Sequence, residues 1–165
     1  VGPEALIGEA DHGLPLLEQV VDEAIAALCA EAVGCMKVLN QTTIDYAKQR
    51  KQFGVPISSF QVLQHRMVDM FMAAEQSVSM TYMVTLKLDE GARERALAAS
   101  GAKIQIGKAA RLISQEAVQI HGGMGMTDEL NVGHFFKRLT MINTQFGDVD
   151  FHLKRYAALS AKAAA

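Results

Sequence analysis

Cysteine and proline are scarce in this 165-residue chain, with two and three residues respectively, aromatics make up 6%, and the formal net charge is only −2. Each scarcity closes off a class of protein. Cys29 and Cys35 stand six apart inside an apolar pattern, which fits neither CxxC redox chemistry nor a metal site and reads as two buried thiols in a reducing compartment. No proline follows Pro56, so the rest of the chain is unobstructed for helix. The basic residues are dispersed and no aromatic-interleaved basic run occurs, which argues against nucleic acid as a partner. The longest apolar run, Ala24 to Met36, is broken by Glu31 and too short to span a bilayer; the acidic N-terminus has no signal-peptide pattern, and the chain reads as cytoplasmic.

Two catalytic patterns are missing as well. Glu-x-x-His occurs only at Glu9–His12, outside the helical pattern, so a di-iron bundle lacks its ligands. His121-Gly122-Gly123 would suit a hydrolase oxyanion loop only beside a G-x-S-x-G elbow, and no serine has those flanks. Because Gly122 to Gly125 follows a helical rather than a strand pattern, it does not suit a Rossmann fingerprint either.

What is present favours helix: half of the residues are hydrophobic, 21% are charged, and Ala, Leu, Met, Gln and Lys abound. Residues 1–13 lack helical period and begin Val1-Gly2-Pro3-Glu4 without an initiator Met, which suggests a linker from a missing preceding domain. From Leu14, apolar residues recur at Leu17, Val20, Ala24, Leu28, Ala32, Cys35, Leu39 and Tyr46, a long amphipathic helix that must stop before Gly54-Val55-Pro56. Ser58 and Ser59 offer N-caps for a second helix to about Leu88, with Val62, Leu63, Met67, Met70, Ala73, Ala74, Val78 and Met83 inward. A third runs from about Arg93 to Ile120 through Ala98, Ala102, Ile106, Ala109, Ile113 and Ala117. Thr127 would cap a shorter helix to about Thr144, Gly147 breaks it, and Asp148 caps the last. The expected fold is all-α, an up-down bundle of about four to five helices over residues 14–165.

Two stretches exceed a generic bundle: Tyr46-Ala47-Lys48-Gln49-Arg50-Lys51-Gln52-Phe53-Gly54, followed by Phe60-Gln61, and Ala117-Val118-Gln119-Ile120-His121-Gly122-Gly123-Met124-Gly125-Met126. Together they resemble the C-terminal helical domain of the acyl-CoA dehydrogenase family, over nearly the whole chain. The resemblance implies that Arg50, Gln52, Phe53, Gln61, Gln119, Gly122 and Gly123 reach the FAD of a neighbouring subunit. The residue types suit that role. A guanidinium at a helix end can meet phosphate oxygens bidentately, and glycines let backbone approach a ligand closely. Taken singly, however, Arg50 also fits a dipole-compatible surface charge, Gly122-Gly123 a C-cap, and His121 a structural or solvent-facing residue.

The resemblance fails at one place. The family dehydrogenates acyl-CoA thioesters, with a carboxylate taking the α-proton while hydride goes to flavin. In Thr144-Gln145-Phe146-Gly147-Asp148 the usual base position is filled by Phe146, and the alternative position on the first helix is Ala24, with Ile25 where many members carry an Arg. Glu23 is one helical step away and should face elsewhere; Asp148 fits an N-cap better than a base. The implied protein is therefore a subunit without its own base, working in a tetramer with a homologous subunit, as in heteromeric bacterial acyl-CoA dehydrogenases, and passing electrons to an electron-transfer flavoprotein or similar acceptor. Phe146-Gly147-Asp148-Val149-Asp150 and Gly133-His134-Phe135-Phe136-Lys137-Arg138 look like such small subunits. Two alternatives stay open: a non-enzymatic helical oligomerisation module without flavin, and an ordinary homotetramer with a displaced base, Glu23 or Asp148. Which acyl-CoA is used is not legible.

Overall fold

The computed structural model describes residues 2–161, so the last four residues of the expected 14–165 bundle lie outside the described ones. The apolar period and the absence of proline produce five α-helices among the described residues: α1 (Leu14–Gln49), α2 (Gln61–Leu86), α3 (Ala92–His121), α4 (Val132–Thr144) and α5 (Val149–Ala161). No described helix is long and apolar enough to cross a membrane. Ahead of α1 stands only a short 3-10 turn, Pro3–Ala5.

α3 is the central element and packs against each of the other four helices. Its sequence explains why: Ala98, Ala99, Ala102, Ala109, Ala110 and Ala117 are all buried and let neighbours approach, while Ile106 and Ile113 fill the layers between. Gly107 marks the tightest approach. A Cβ there would collide with the side chains of Asn143 on α4 and Val149 on α5. α1 supplies Ile25, Ala26, Cys29, Met36 and Leu39 to the same core, and α2 supplies Met70, Ala74 and Val84. Both cysteines are buried and free, and desolvation pushes the Cys29 thiol up to about 12.

Several expectations are corrected here. Leu17 and Val20 are exposed; the buried face of α1 begins instead at Asp22 and Ile25, one step round the helix. Val62 is exposed too. Neither Ser58 nor Ser59 caps α2, which starts after Phe60; both lie in a 3-10 turn (Ile57–Ser59), where Ser59 Oγ donates to the Pro56 carbonyl. Thr127 does not begin α4 either. Gly122–Met126 forms another 3-10 turn, Thr127 Oγ1 donates to the Met124 carbonyl, and the helix waits until Val132. Asp148 does cap α5, accepting from the Phe151 amide at 2.9 Å.

Candidate functional site

The up-down course places the end of α1, the start of α2 and the end of α3 at one end of the bundle. Arg66 in the second turn of α2 pairs with Glu116 near the end of α3 at 2.7 Å. Tyr46 Oη, in the last turn of α1, donates to the His121 carbonyl at 3.2 Å, and the two rings stack at 4.3 Å. Tyr46 and His121 belong to the two motif stretches, so this clamp joins them across 75 residues. His121 is buried, its Nδ1 within 2.8 Å of the Ala117 carbonyl, its Nε2 without a partner among the described residues, and burial lowers its pKa. Of the two readings open for it, the structural one holds.

Between α1 and α2 the chain makes a small antiparallel ribbon, β1 (Lys51–Gln52) with β2 (Val55–Pro56), that the sequence reading did not anticipate. Its two-residue turn, Phe53 at φ 53° and Gly54 at φ 81°, has the positive φ pair of a type I′ hairpin. Glycine accepts that conformation readily; phenylalanine is strained in it. Phe53 is nevertheless 92% exposed, touching Phe60 edge-on at 6.2 Å. A strained turn that thrusts an aromatic ring into solvent is a marker of function rather than of packing. Arg50 ends α1 in extended conformation, its carbonyl held by the Ile57 amide, and its guanidinium has no ion-pair partner among the described residues. Gly122 ends α3 at φ 59° and ψ −138°, a region closed to other residues. All seven residues expected to meet cofactor, Arg50, Gln52, Phe53, Gln61, Gln119, Gly122 and Gly123, are exposed, so this end is an open platform rather than a closed pocket.

At the other end lies the expected base position. Phe146 has φ 56° and Gly147 φ 103°, a two-residue left-handed turn between α4 and α5. Phe146 lines a groove of about 230 Å³ with Leu14, Leu17, Glu18, Val21, Phe151 and Arg155. Neither Glu23 nor Asp148 lines it. Glu23 is exposed and accepts from Gln19 at 3.0 Å, and Asp148 is occupied as the α5 cap. Glu18 is the carboxylate that does reach the groove. Sequence reasoning missed it, although its place four after Leu14 and three before Val21 puts it on their helical face.

A family profile described as the C-terminal domain of acyl-CoA dehydrogenases matches residues 11–158. The chain belongs to the acyl-CoA dehydrogenase family. It is 30% identical to human very long-chain specific acyl-CoA dehydrogenase over 96% of its own length and 24% of the relative's. Against the acyl-CoA dehydrogenase IpdE2 of Mycolicibacterium smegmatis it is 34% identical, covering 83% of this chain and 40% of that one. The chain thus spans less than half the length of these relatives. Among solved structures, butyryl-CoA dehydrogenase from Megasphaera elsdenii superposes with a TM-score of 0.89 at 27% identity, over 98% of this chain and 42% of the other. PigA with FAD and proline gives 0.78 at 29%, over 86% and 37%. The steroid acyl-CoA dehydrogenase Tcur3481-Tcur3483, in a G363A variant, gives 0.86 at 26%, over 90% and 41%.

In this acyl-CoA dehydrogenase domain the 146–147 turn is held from beneath by buried polar groups. Lys103, 1% exposed on α3, donates from Nζ to the carbonyls of Ile142 (2.5 Å), Asn143 (3.1 Å) and Gly147 (3.1 Å). His152, fully buried on α5, donates from Nε2 to the Phe146 carbonyl at 3.0 Å, which leaves Nδ1 to accept from Ser100 Oγ at 3.4 Å. Arg155 continues the chain, reaching Ser100 Oγ at 3.4 Å and the buried Asp22 carboxylate at 2.8 Å. Burial above all, with the charges of Lys103 and Arg155, pushes the His152 pKa down to about 4, against opposition from the Phe146 hydrogen bond and Asp22.

A pH dependence follows. The unfolded chain takes up the His152 proton near pH 6.5 and the folded chain only near 4, so stability is full above 6.5 and falls as pH drops through that window. The expected loss is at most about 1.4 kcal/mol per pH unit. Chemical denaturation across pH 4–7 checks it: His152→Gln, which can still donate to the Phe146 carbonyl, should flatten the profile, and an unchanged slope would assign the acid sensitivity elsewhere.

Proposed function

We propose that this chain is the FAD-contacting and oligomerising C-terminal domain of an acyl-CoA dehydrogenase subunit that lacks its own catalytic base and works in a tetramer with a homologous, base-bearing subunit. The observation that carries this reading is Phe146, set in the left-handed turn facing the Leu14–Leu17–Val21 groove, while Glu23 and Asp148 are directed into other contacts. The two-component steroid acyl-CoA dehydrogenase among the structural relatives supports a heteromeric assembly.

FAD suits the platform at the other end. Among the described residues Arg50 has no ion-pair partner, Phe53 presents an aromatic face, and Gly122 and Gly123 are bare backbone on which a Cβ would meet no described atom. These residues, with Gln52, Gln61 and Gln119, would hold the cofactor's phosphates and ring edges from a neighbouring subunit's side. When bound, FAD supplies the hydride acceptor for α,β-dehydrogenation of an acyl-CoA thioester. The chain's own part is to orient that cofactor, to close its apolar groove against water, and to hold the 146–147 turn. Preceding domains, a cytoplasmic location and an electron-transfer flavoprotein as acceptor belong to the same reading.

A second reading rests on Glu18, which lines the groove with Phe146 and would serve as a displaced base in a homotetramer. An anaerobic flavin spectrum of the complete polypeptide, purified alone and titrated with a panel of acyl-CoAs, separates the two. A spectrum that stays oxidised is the expected result. Bleaching overturns the base-less reading, and its loss on Glu18→Gln would establish the second. A complete polypeptide that takes up no flavin, alone or with a homologous subunit, would sink both.

A further inference from the structure

A second groove lies away from the cofactor platform and adjoins the Phe146 groove, with which it shares Glu18 and Arg155. It encloses about 840 Å³ between the start of α1, the start of α3 and the end of α5, and Asp22, Ala92, Arg93, Arg95 and Arg155 line it. At its base the Asp22 carboxylate is 1% exposed and stands between two guanidinium groups, Arg155 at 2.8 Å and Arg95 at 3.4 Å. One carboxylate cannot neutralise two such groups, and a residual positive charge in a poorly hydrated recess is costly unless an anion joins it.

Arg95 points to that anion. It is 8% exposed, yet its guanidinium makes no hydrogen bond among the described residues, and its buried Nε has no partner in hydrogen-bonding geometry even beside Asp22. Nε faces the likewise unpaired Asp22 Oδ2 at 3.4 Å, so the terminal nitrogens, which are not buried, are the donors left for a ligand. The start of α3 adds a second source of donors. Its N-cap, Gly91, contributes no side-chain hydrogen bond, so the amides of the first turn, Ala92 and Arg93 among them, lack a side-chain acceptor. Arg93 lines the same wall, with Nε donating to the Leu159 carbonyl and one terminal nitrogen 3.6 Å from Glu94.

We propose that this groove is a phosphate-binding site, in which Arg95, Arg155 and the first-turn amides of α3 converge on one phosphate group. Donors arriving from α3 and α5, side chain and backbone together, match a tetrahedral oxyanion better than a planar carboxylate, which presents only two oxygens. None of its residues belongs to the cofactor platform, while Arg155 also lines the Phe146 groove.

Isothermal titration of the complete polypeptide at fixed ionic strength tests it with inorganic phosphate, adenosine 3′,5′-bisphosphate and succinate. Saturable phosphate binding is expected, weakened about tenfold or more by Arg95→Met through loss of charge-assisted hydrogen bonds. Removing Arg95 also strips a partner from buried Asp22, so circular dichroism accompanies that variant. Arg93→Gln, at a half-exposed position, provides a second reading and should weaken binding several-fold with the fold intact. The bisphosphate binding at least tenfold tighter than inorganic phosphate would assign the site to a nucleotide-borne phosphate, and equal affinities to the free ion. Absence of saturable phosphate binding, unchanged affinity in both folded variants, or succinate binding as tightly as phosphate would overturn the proposal.

Discussion

Phe146→Glu in the complete polypeptide is expected to convert a flavoprotein that stays oxidised under acyl-CoA into one whose flavin bleaches. The substitution adds no new backbone demand, because Phe146 already occupies the left-handed region at φ 56°. The turn is held by carbonyl contacts alone, from His152 to residue 146 and from Lys103 to residue 147, so it does not depend on the side chain being aromatic. Leu14, Leu17 and Val21 around the new carboxylate would disfavour its charged form and raise its pKa, opposed by the positive charge of Arg155 in the same groove. Positioned general bases contribute roughly 10²–10⁴-fold to rate, so stopped-flow flavin reduction should show a gain within that range over the parent protein. A flavin-loaded variant that remains as slow as the parent would mean that residue 146 does not face the substrate, and with it the reading of Phe146 as a vacated base position would fall.

Lys103→Met should be the most destabilising single substitution outside the purely apolar core. The ammonium satisfies three carbonyls at the end of α4 and in the following turn, and no acidic side chain pairs with it among the described residues. Methionine matches the stem but leaves those acceptors unpaired in the interior, at an expected cost of about 2–4 kcal/mol. A shift in the denaturation midpoint at constant slope measures it, and a change below about 0.5 kcal/mol would show that water or a local shift takes over the carbonyls. Lys103 has a second signature. Burial lowers its pKa, so the unfolded chain holds the proton to higher pH than the folded one. The Lys103 contribution to native stability should therefore rise with pH toward about 10.5, the ordinary lysine value, against the opposite contribution of the Cys29 thiol above about 9, and Lys103→Met should remove the rising part.

The long helices were legible because their signals are long. Across α3, the inward positions Ala98, Ala102, Ile106, Ala109, Ile113 and Ala117 are all buried, since thirty residues of one period leave little freedom in phase. At the start of α1 the period misled: Leu14, Leu17 and Val20 are apolar but exposed, while Asp22, an acid, is buried by its two arginines. Hydrophobicity alone cannot anticipate a charge satisfied by partners 73 and 133 residues away. That is also why Lys103 and His152 passed as unremarkable helix residues although they hold the turn that matters most. Capping by serine or threonine failed twice, at Ser58–Ser59 and Thr127, because each hydroxyl found a carbonyl three residues back within a 3-10 turn. The two motif stretches were legible, but the geometry that joins them, the Tyr46–His121 clamp and the I′ turn under Phe53, depends on helix packing and backbone conformation that spacing does not encode.

The Asp22–Arg155 pair spans 133 residues, and that separation bears on synthesis. As α1 leaves the ribosome its inward carboxylate has no partner, and Arg155 is made only 133 residues later. At about 5–20 residues per second the interval is roughly 7 to 27 s, long beside helix formation and the collapse of small chains. Through that interval α1 can already be helical and can gather α2 and α3, but the first three turns cannot lock. Final closure of this end of the bundle therefore waits for residue 155, an event that a nascent chain stalled before that residue should be unable to complete.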